Sequence, residues 1–237
     1  MSRDSRPLLT LAGIAVAMLG AIILAGGTSS RFGRSKALAE LGNKPLIRHV
    51  IDPCLAVVDS VIVVVSGCED ATAYASILPA EVGLVKDTGE HRNPLHGLAS
   101  GITGLDSEYT VVLACDTPFI TVKVLELLFK KAVGFDAAVP RWPNDYIEPL
   151  HSVYRNRAVK EALPRITGDE NTGVSGLVNA LHSVRYVRLE EIRSVDPNLA
   201  CFLNINTLQD LERARLSFTG QRNAQIEHCG TTEITVG

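Results

Sequence analysis

The sequence predicts an α/β protein of three layers, a mainly parallel central sheet with helices on both faces. Three observations carry this. Short apolar, β-branched runs recur along the chain, stretches of helical periodicity separate them, and Val61-Ile62-Val63-Val64-Val65 shows no polar alternation. Strands alternating with helices build parallel sheets through crossover connections. A run without alternation suits a strand buried on both sides.

Strands are expected at 20–25, 61–65, 82–86, 110–114, 135–139, 147–154 and 183–189. Helices are expected at about 45–57, 69–78, 95–105, 121–133, 155–164, 173–181 and 207–216. The first strand needs its own argument. Pro7 to Gly27 carries no charge, and Leu8 to Ala25 is nearly all apolar, long enough for a membrane span or signal peptide. Gly13 and Gly20 interrupt it, however, and Ala21-Ile22-Ile23-Leu24-Ala25 runs straight into Gly26-Gly27. That is how a buried parallel strand ends in a phosphate-binding turn, so no membrane span is expected. Residues 1–17 then form an extension outside the fold, 18–216 the folded domain, and 217–237 a polar tail with a short strand signal near Ile234. Within the domain, the half beginning near Arg141 is expected to form the acceptor side.

Local signals set several boundaries. Pro45 suits the first turn of a helix, whereas Pro53 is expected to kink or split that helix. Thr121 can cap a helix that places Leu125 and Leu128 on one face, and Thr207 can cap the last one. Glu190-Glu191-Ile192-Arg193 reads as a solvated face.

Composition excludes several classes. The 237 residues are 46% hydrophobic, ample for a filled core. A formal net charge of -3 gives no general reason to bind nucleic acid or an anionic membrane. The cysteines (Cys54, Cys68, Cys115, Cys201, Cys229) are odd in number, scattered and without C-x-x-C. This points to a reducing, cytoplasmic setting rather than a disulfide framework or zinc site. No H-x-x-x-H, H-E-x-x-H or G-x-S-x-G occurs, so the histidines read as surface or core residues and Trp142 as packing or a rim contact.

The first strand is followed by Leu24-Ala25-Gly26-Gly27-Thr28-Ser29-Ser30-Arg31-Phe32-Gly33-Arg34-Ser35-Lys36. Glycines let backbone N–H groups approach phosphate oxygens closely. Arg31, Arg34 and Lys36 add cations, which together with bare donors is what a triphosphate requires. The spacing is neither G-x-x-x-x-G-K-[ST] nor G-x-G-x-x-G. A solvated surface loop is the plain alternative. The position after a buried strand, at the sheet edge where open α/β folds place ligands, favours a site.

A second candidate follows Thr110-Val111-Val112-Leu113-Ala114, where Cys115-Asp116-Thr117-Pro118-Phe119 turns away. A carboxylate at that strand end can hold Mg²⁺ on phosphate oxygens. Equally, Asp116 could begin a turn or cap a helix.

The loop L-A-G-G-x-S-x-R-x-G-x-x-K resembles the signature of the molybdenum cofactor guanylyltransferases and related NTP transferases, and C-D-T-P-F resembles their metal-binding strand end. The resemblance runs over roughly residues 20–216. It implies the nucleotide-diphospho-sugar transferase fold, nucleotide contacts from Leu24, Ala25, Gly26, Gly27 and Lys36, a phosphate contact from Arg31, and metal binding by Asp116. Lys36, Arg31 and Asp116 would be the catalytic set. Asp87, followed by Pro94-Leu95-His96-Gly97-Leu98, matches an aspartate placed near ribose or metal, with Asn93 standing where the family often has glycine. Ser66-Gly67-Cys68 replaces an asparagine that the family can use on the nucleotide, leaving a backbone contact from Ser66. Glu148-Pro149-Leu150 and the Asn204 and Asn206 pair, expected on a short strand over 202–207, resemble acceptor-side segments.

The activity this implies is Mg²⁺-dependent transfer of GMP from GTP to the phosphate of molybdopterin with loss of pyrophosphate, by a monomer or small homo-oligomer. L-A-G-G resembles the guanylyl branch, whereas the cytidylyl branch typically shows L-A-A-G. The rival readings are another phosphorylated acceptor (cobinamide phosphate, phospholactate or a sugar phosphate) and a non-catalytic GTP-binding module.

Overall fold

A computed structural model describes residues 18–26, 35–67, 70–87, 93–166 and 172–216. The 1–17 extension and the 217–237 tail lie outside them. Among the described residues, seven strands form one sheet in the order β5-β4-β1-β6-β8-β7-β9. They are β1 (Leu19–Leu24), β4 (Ser60–Ser66), β5 (Val82–Asp87), β6 (Tyr109–Ala114), β7 (Ala137–Arg141), β8 (His151–Arg155) and β9 (Val184–Arg188). β1 pairs in parallel with both β4 and β6, and β8 is antiparallel to its neighbours β6 and β7. The expected mainly parallel sheet is therefore present. Strand β1 lies inside it between β4 and β6, where the order of strand addition reverses; open α/β sheets bind ligands beyond the strand ends at such a point.

Ile22, Ile23 and Ala21 are fully buried, as a central strand requires. The stretch that raised a membrane flag is thus, over 19–24, sheet interior. Among the described residues no helix is long and apolar enough to cross a membrane.

Helices cover both faces. On one, α1 (Leu46–Leu55) and α4 (Val122–Ala132) pack Ile47, Val50, Leu125 and Leu128 against Ile23, Val63 and Val111. On the other, α3 (Pro94–Thr103), α5 (Asn156–Ile166) and α6 (Val174–Ala180) pack Leu98, Val159 and Leu177 against Ile22, Val64 and Val112. The capping at Thr121 is as expected, its hydroxyl accepting from Val124 N at 3.4 Å.

Gly101 packs α3 closely on β1: a Cβ there would lie 2.9 Å from Ile22 Cδ1. Alanine in place of glycine stabilises a helix by about 1 kcal/mol, but overpacking a buried isoleucine costs about 1–3 kcal/mol. Gly101→Ala is therefore expected to lower the urea midpoint of unfolding. A raised midpoint would mean α3 shifts freely.

Several expectations need correction. Pro53 neither splits nor ends α1; the backbone bond it forfeits lies in the last turn, where burial of Val50, Ile51 and Cys54 holds the helix. Strand 147–154 shrinks to β8, because Glu148, Pro149 and Leu150 form a turn in which His151 N donates to Glu148 O at 3.0 Å. Helix 69–78 shrinks to α2 (Thr72–Ala75). The 202–207 segment is irregular beyond a 3-10 turn at Ala200–Phe202, not a strand.

Two elements were not anticipated. A hairpin of β2 (Glu40–Leu41) and β3 (Lys44–Pro45) turns at Gly42, whose φ of 63° favours glycine. The segment read as a solvated face is α7 (Leu189–Arg193), with Ile192 buried and Glu191 paired to Lys131 and Arg185. A third, small core joins the hairpin to the helical segment 208–216 through Leu41, Leu46, Ile205 and Leu211.

Candidate active site

Lys36 opens a 3-10 turn, Lys36–Leu38, on the far side of the glycine loop. The turn is fixed from beneath. Ala37 is buried in the main core, and the Ser35 hydroxyl lies 2.8 Å from the Tyr74 hydroxyl on α2. Leu38 N and Ala39 N donate to Ser35 O and Lys36 O, closing the turn. With its neighbours anchored, the Lys36 side chain reaches out over the sheet edge.

It meets Asp116 there. Lys36 Nζ donates to Asp116 Oδ2 at 2.6 Å and to Asn206 Oδ1 at 3.0 Å. Asp116 follows β6 directly, and the turn is set by Thr117 Oγ1 donating to Ala114 O at 2.9 Å. Asn206 arrives because Ile205 is buried and donates its N–H to Asp116 O at 2.9 Å. Asp210 accepts from both Asn206 N and Thr207 N, while Thr207 Oγ1 accepts from Asp210 N, the expected cap on the 208–216 helix. Three segments far apart in sequence thus converge on one ammonium.

The strand ends beside it carry the other residues expected from sequence at the nucleotide. Leu24 closes β1 between Val64 and Ala114, and Ala25 N extends the sheet by donating to Val64 O. A Cβ on Gly26 would lie 3.0 Å from Ser66 N, so glycine there lets the two turns approach. Ser66 is in register with Asp87 at the end of β5. Asp87 faces α3, with Ser100 Oγ at 3.4 Å from Oδ1, and its Oδ2 lies 3.8 Å from where a Gly97 Cβ would be. The ends of β5 and β6 are three strand spacings apart, about 14 Å, so Asp87 and Asp116 cannot both contact one small group. Asn93, the departure noted above, caps α3 by accepting from Leu95 N and ties it to Thr172 O at 2.7 Å.

In the turn before β8, Glu148 Oε1 accepts from Trp142 Nε1 at 2.8 Å. Burial raises the Glu148 carboxyl above its ordinary value, partly offset by that hydrogen bond. His151 is buried between this turn and Asp116. Burial pushes its imidazole down to about 4, the Asp116 charge opposing, and its Nε2 has no hydrogen-bond partner. Its ring lies 5.3 Å from that of Phe202, which in turn lies 5.8 Å from Trp142.

Of the residues expected from sequence, Lys36, Asp116 and Asn206 are brought into contact, and Leu24, Ala25, Gly26, Ser66 and Asp87 line the same sheet edge. Gly27 and Arg31 lie outside the described residues. Leu150 packs into the core of the opposite face, and Pro149 O accepts from the Tyr154 hydroxyl, so both act in support. Asn204 is exposed and flanks Ile205 without joining the contact at Lys36. Sequence reasoning passed over Tyr74, His151 and Phe202. For His151 the signal was its place in Glu148–Arg155, between a half-buried turn and a buried strand.

A profile of the MobA-like NTP transferase domain matches residues 21–184. The chain is 37% identical over 210 residues to a probable molybdenum cofactor guanylyltransferase of Methanosarcina acetivorans, covering 85% of this chain and 92% of that protein. A probable molybdenum cofactor guanylyltransferase of Methanosarcina mazei is 38% identical over 200 residues, covering 81% and 88%. The crystal structure of molybdopterin-guanine dinucleotide biosynthesis protein A from Archaeoglobus fulgidus superimposes with a TM-score of 0.70 at 28% identity, covering 85% of this chain and 99% of that one.

Proposed function

Because the chain belongs to the MobA-like NTP transferase family, we propose that it transfers GMP from GTP to the phosphate of molybdopterin and releases pyrophosphate. The observation that carries this reading is the meeting of Lys36, Asp116 and Asn206 beside the Leu24–Gly26 turn. The nucleoside lies over the ends of β1, β4 and β5, against Leu24, Ala25, Gly26 and Ser66, with Asp87 toward the ribose. The triphosphate turns toward Lys36, with Arg31 as a further phosphate contact. The acceptor approaches from the β8 side.

An oxygen of the acceptor phosphate attacks the α-phosphorus in line as the bond to the bridging oxygen of the β-phosphate breaks. Both reactants are anionic, so the barrier is largely electrostatic, and the Lys36 ammonium, turned from Asp116 and Asn206 to the phosphates, stabilises the charge that builds on the α-phosphate. No covalent enzyme intermediate is required, since the acceptor phosphate is already a nucleophile.

The donor set fits Mg²⁺. Asp116 and Asn206 turn hard oxygens onto one point now taken by an ammonium, and Mg²⁺ needs few protein ligands when phosphates and waters supply the others. When bound, the ion would add positive charge on the phosphate oxygens.

Base choice is read from Gly26, where the cytidylyl branch has alanine. A Cβ there would press on the Ser66 backbone, altering the turn that faces the base. Incubation with each of the four NTPs, Mg²⁺ and molybdopterin, followed by mass spectrometry, is expected to yield the guanine dinucleotide and pyrophosphate from GTP alone. Transfer from CTP, or only onto cobinamide phosphate, phospholactate or a sugar phosphate, would replace this reading. GTP binding without turnover on any acceptor would make the chain a nucleotide-binding module.

A further inference from the structure

Beyond Asp116, on the acceptor side, the rings of His151, Phe202 and Trp142 pack in series and end at a carboxylate. That carboxylate is held firmly. Glu148 N donates to Pro140 O at 3.0 Å, and Glu148 O accepts from both His151 N and Ser152 Oγ. The Trp142 indole fixes Oε1, and Trp142 N is itself bound to Tyr146 O at 2.7 Å. Among the described residues no cation pairs with Glu148, and Oε2 accepts no hydrogen bond. Nearby Arg141 is engaged elsewhere, with Asp145 and over the Tyr186 ring. Oε2 is not among the buried atoms left without a partner, so it faces solvent and is open to donors from a ligand.

We propose that Glu148 is a specificity-determining residue that accepts the paired N–H groups of the acceptor's 2-amino-4-oxo-pyrimidine edge, with Trp142 as the positioning residue that aims the carboxylate. The proposal rests on the acceptor reading above. A pterin presents its exocyclic amine and adjacent ring N–H side by side, the donor pair that two carboxylate oxygens accept together. The anionic end of the same molecule is drawn to Lys36, so the two ends of the acceptor meet opposite charges. Oε1 keeps a second lone pair while it holds the indole, so both oxygens remain available.

Trp142 is the chain's one tryptophan, so its fluorescence reports on this spot directly. In the presence of GTP, 6-hydroxymethylpterin is expected to quench it, whereas 6-hydroxymethyl-lumazine, with oxygen replacing the amine, requires at least about 10-fold more ligand, since a donor-matched site rejects an analogue lacking the donor. Glu148→Gln, which turns a donor toward a donor, is expected to weaken pterin binding and raise the acceptor KM by about 10- to 100-fold with the GTP KM unchanged. Glu148→Asp should recover part of the loss, and thermal melting checks that each variant is folded. Equal quenching by the two heterocycles, or a Glu148→Gln protein with an unaltered acceptor KM, overturns the proposal. Selective pterin binding without GMP transfer to molybdopterin would sustain this recognition but defeat the proposed reaction. Transfer without selectivity would do the reverse.

Discussion

Asp116→Ala and Lys36→Ala are each expected to lower GMP transfer by about 10²- to 10³-fold, roughly the 3–4 kcal/mol associated with removing one preorganised charge-stabilising group. The two residues share a contact, at 2.6 Å, so their effects should be far from additive. Asp116→Asn is the sharper variant because it keeps the shape of the turn and removes only the charge. Neither side chain belongs to an apolar core, and the backbone bonds that fix Asp116 come from its carbonyl and from Thr117. Far-UV circular dichroism and thermal melting should therefore change little. Full turnover by either alanine variant at saturating Mg²⁺ would remove the corner from the mechanism.

The second large effect concerns stability. The native protein keeps His151 neutral down to about pH 4, while an unfolded chain protonates it near 6.5. Across that window the unfolded state binds the extra proton, so acid favours unfolding. The contribution is fully present above pH 6.5 and is lost as pH falls toward 4, amounting to about 3 kcal/mol over the whole interval. His151→Phe keeps a ring against Phe202 and cannot titrate. Urea midpoints in metal-free buffer at pH 7 and pH 4.5 should fall more for the wild type than for this variant. Equal falls would mean that other groups govern acid sensitivity.

Much of this arrangement could be read from sequence, for identifiable reasons. Ala21 to Leu24, Val61 to Val65 and Val111 to Leu113 are continuous apolar runs because their strands are covered on both faces. The same logic put Gly26 and Asp116 at strand ends, where ligands bind. Asp116 was legible because it lies just past the end of β6, and Lys36 because it closes the glycine loop that follows β1. The hairpin over 40–45 was not, since two-residue strands leave no period to detect and gain their stability by docking Leu41 against Ile205 and Leu211. Helix α7 was misjudged because two glutamates and an arginine in five residues look solvated, although Leu189 and Ile192 point inward. Tyr74 and Phe202 gain their roles only from contacts with Ser35 and with His151 and Trp142, separations that no local pattern encodes.

The bond from Asn206 to Lys36 closes a loop of 170 residues, and Arg215 reaching Glu40 O closes one of 175. Such closures are entropically among the slowest steps available to a chain. A polypeptide emerging from the ribosome can therefore assemble β1, β4, β5 and β6, and with them the strand ends proposed to hold the nucleotide, before the lysine has its final support. On the proposed function, substrate binding and chemical competence would thereby be separated in the order of synthesis, the second waiting for the segment from Ile205 onward.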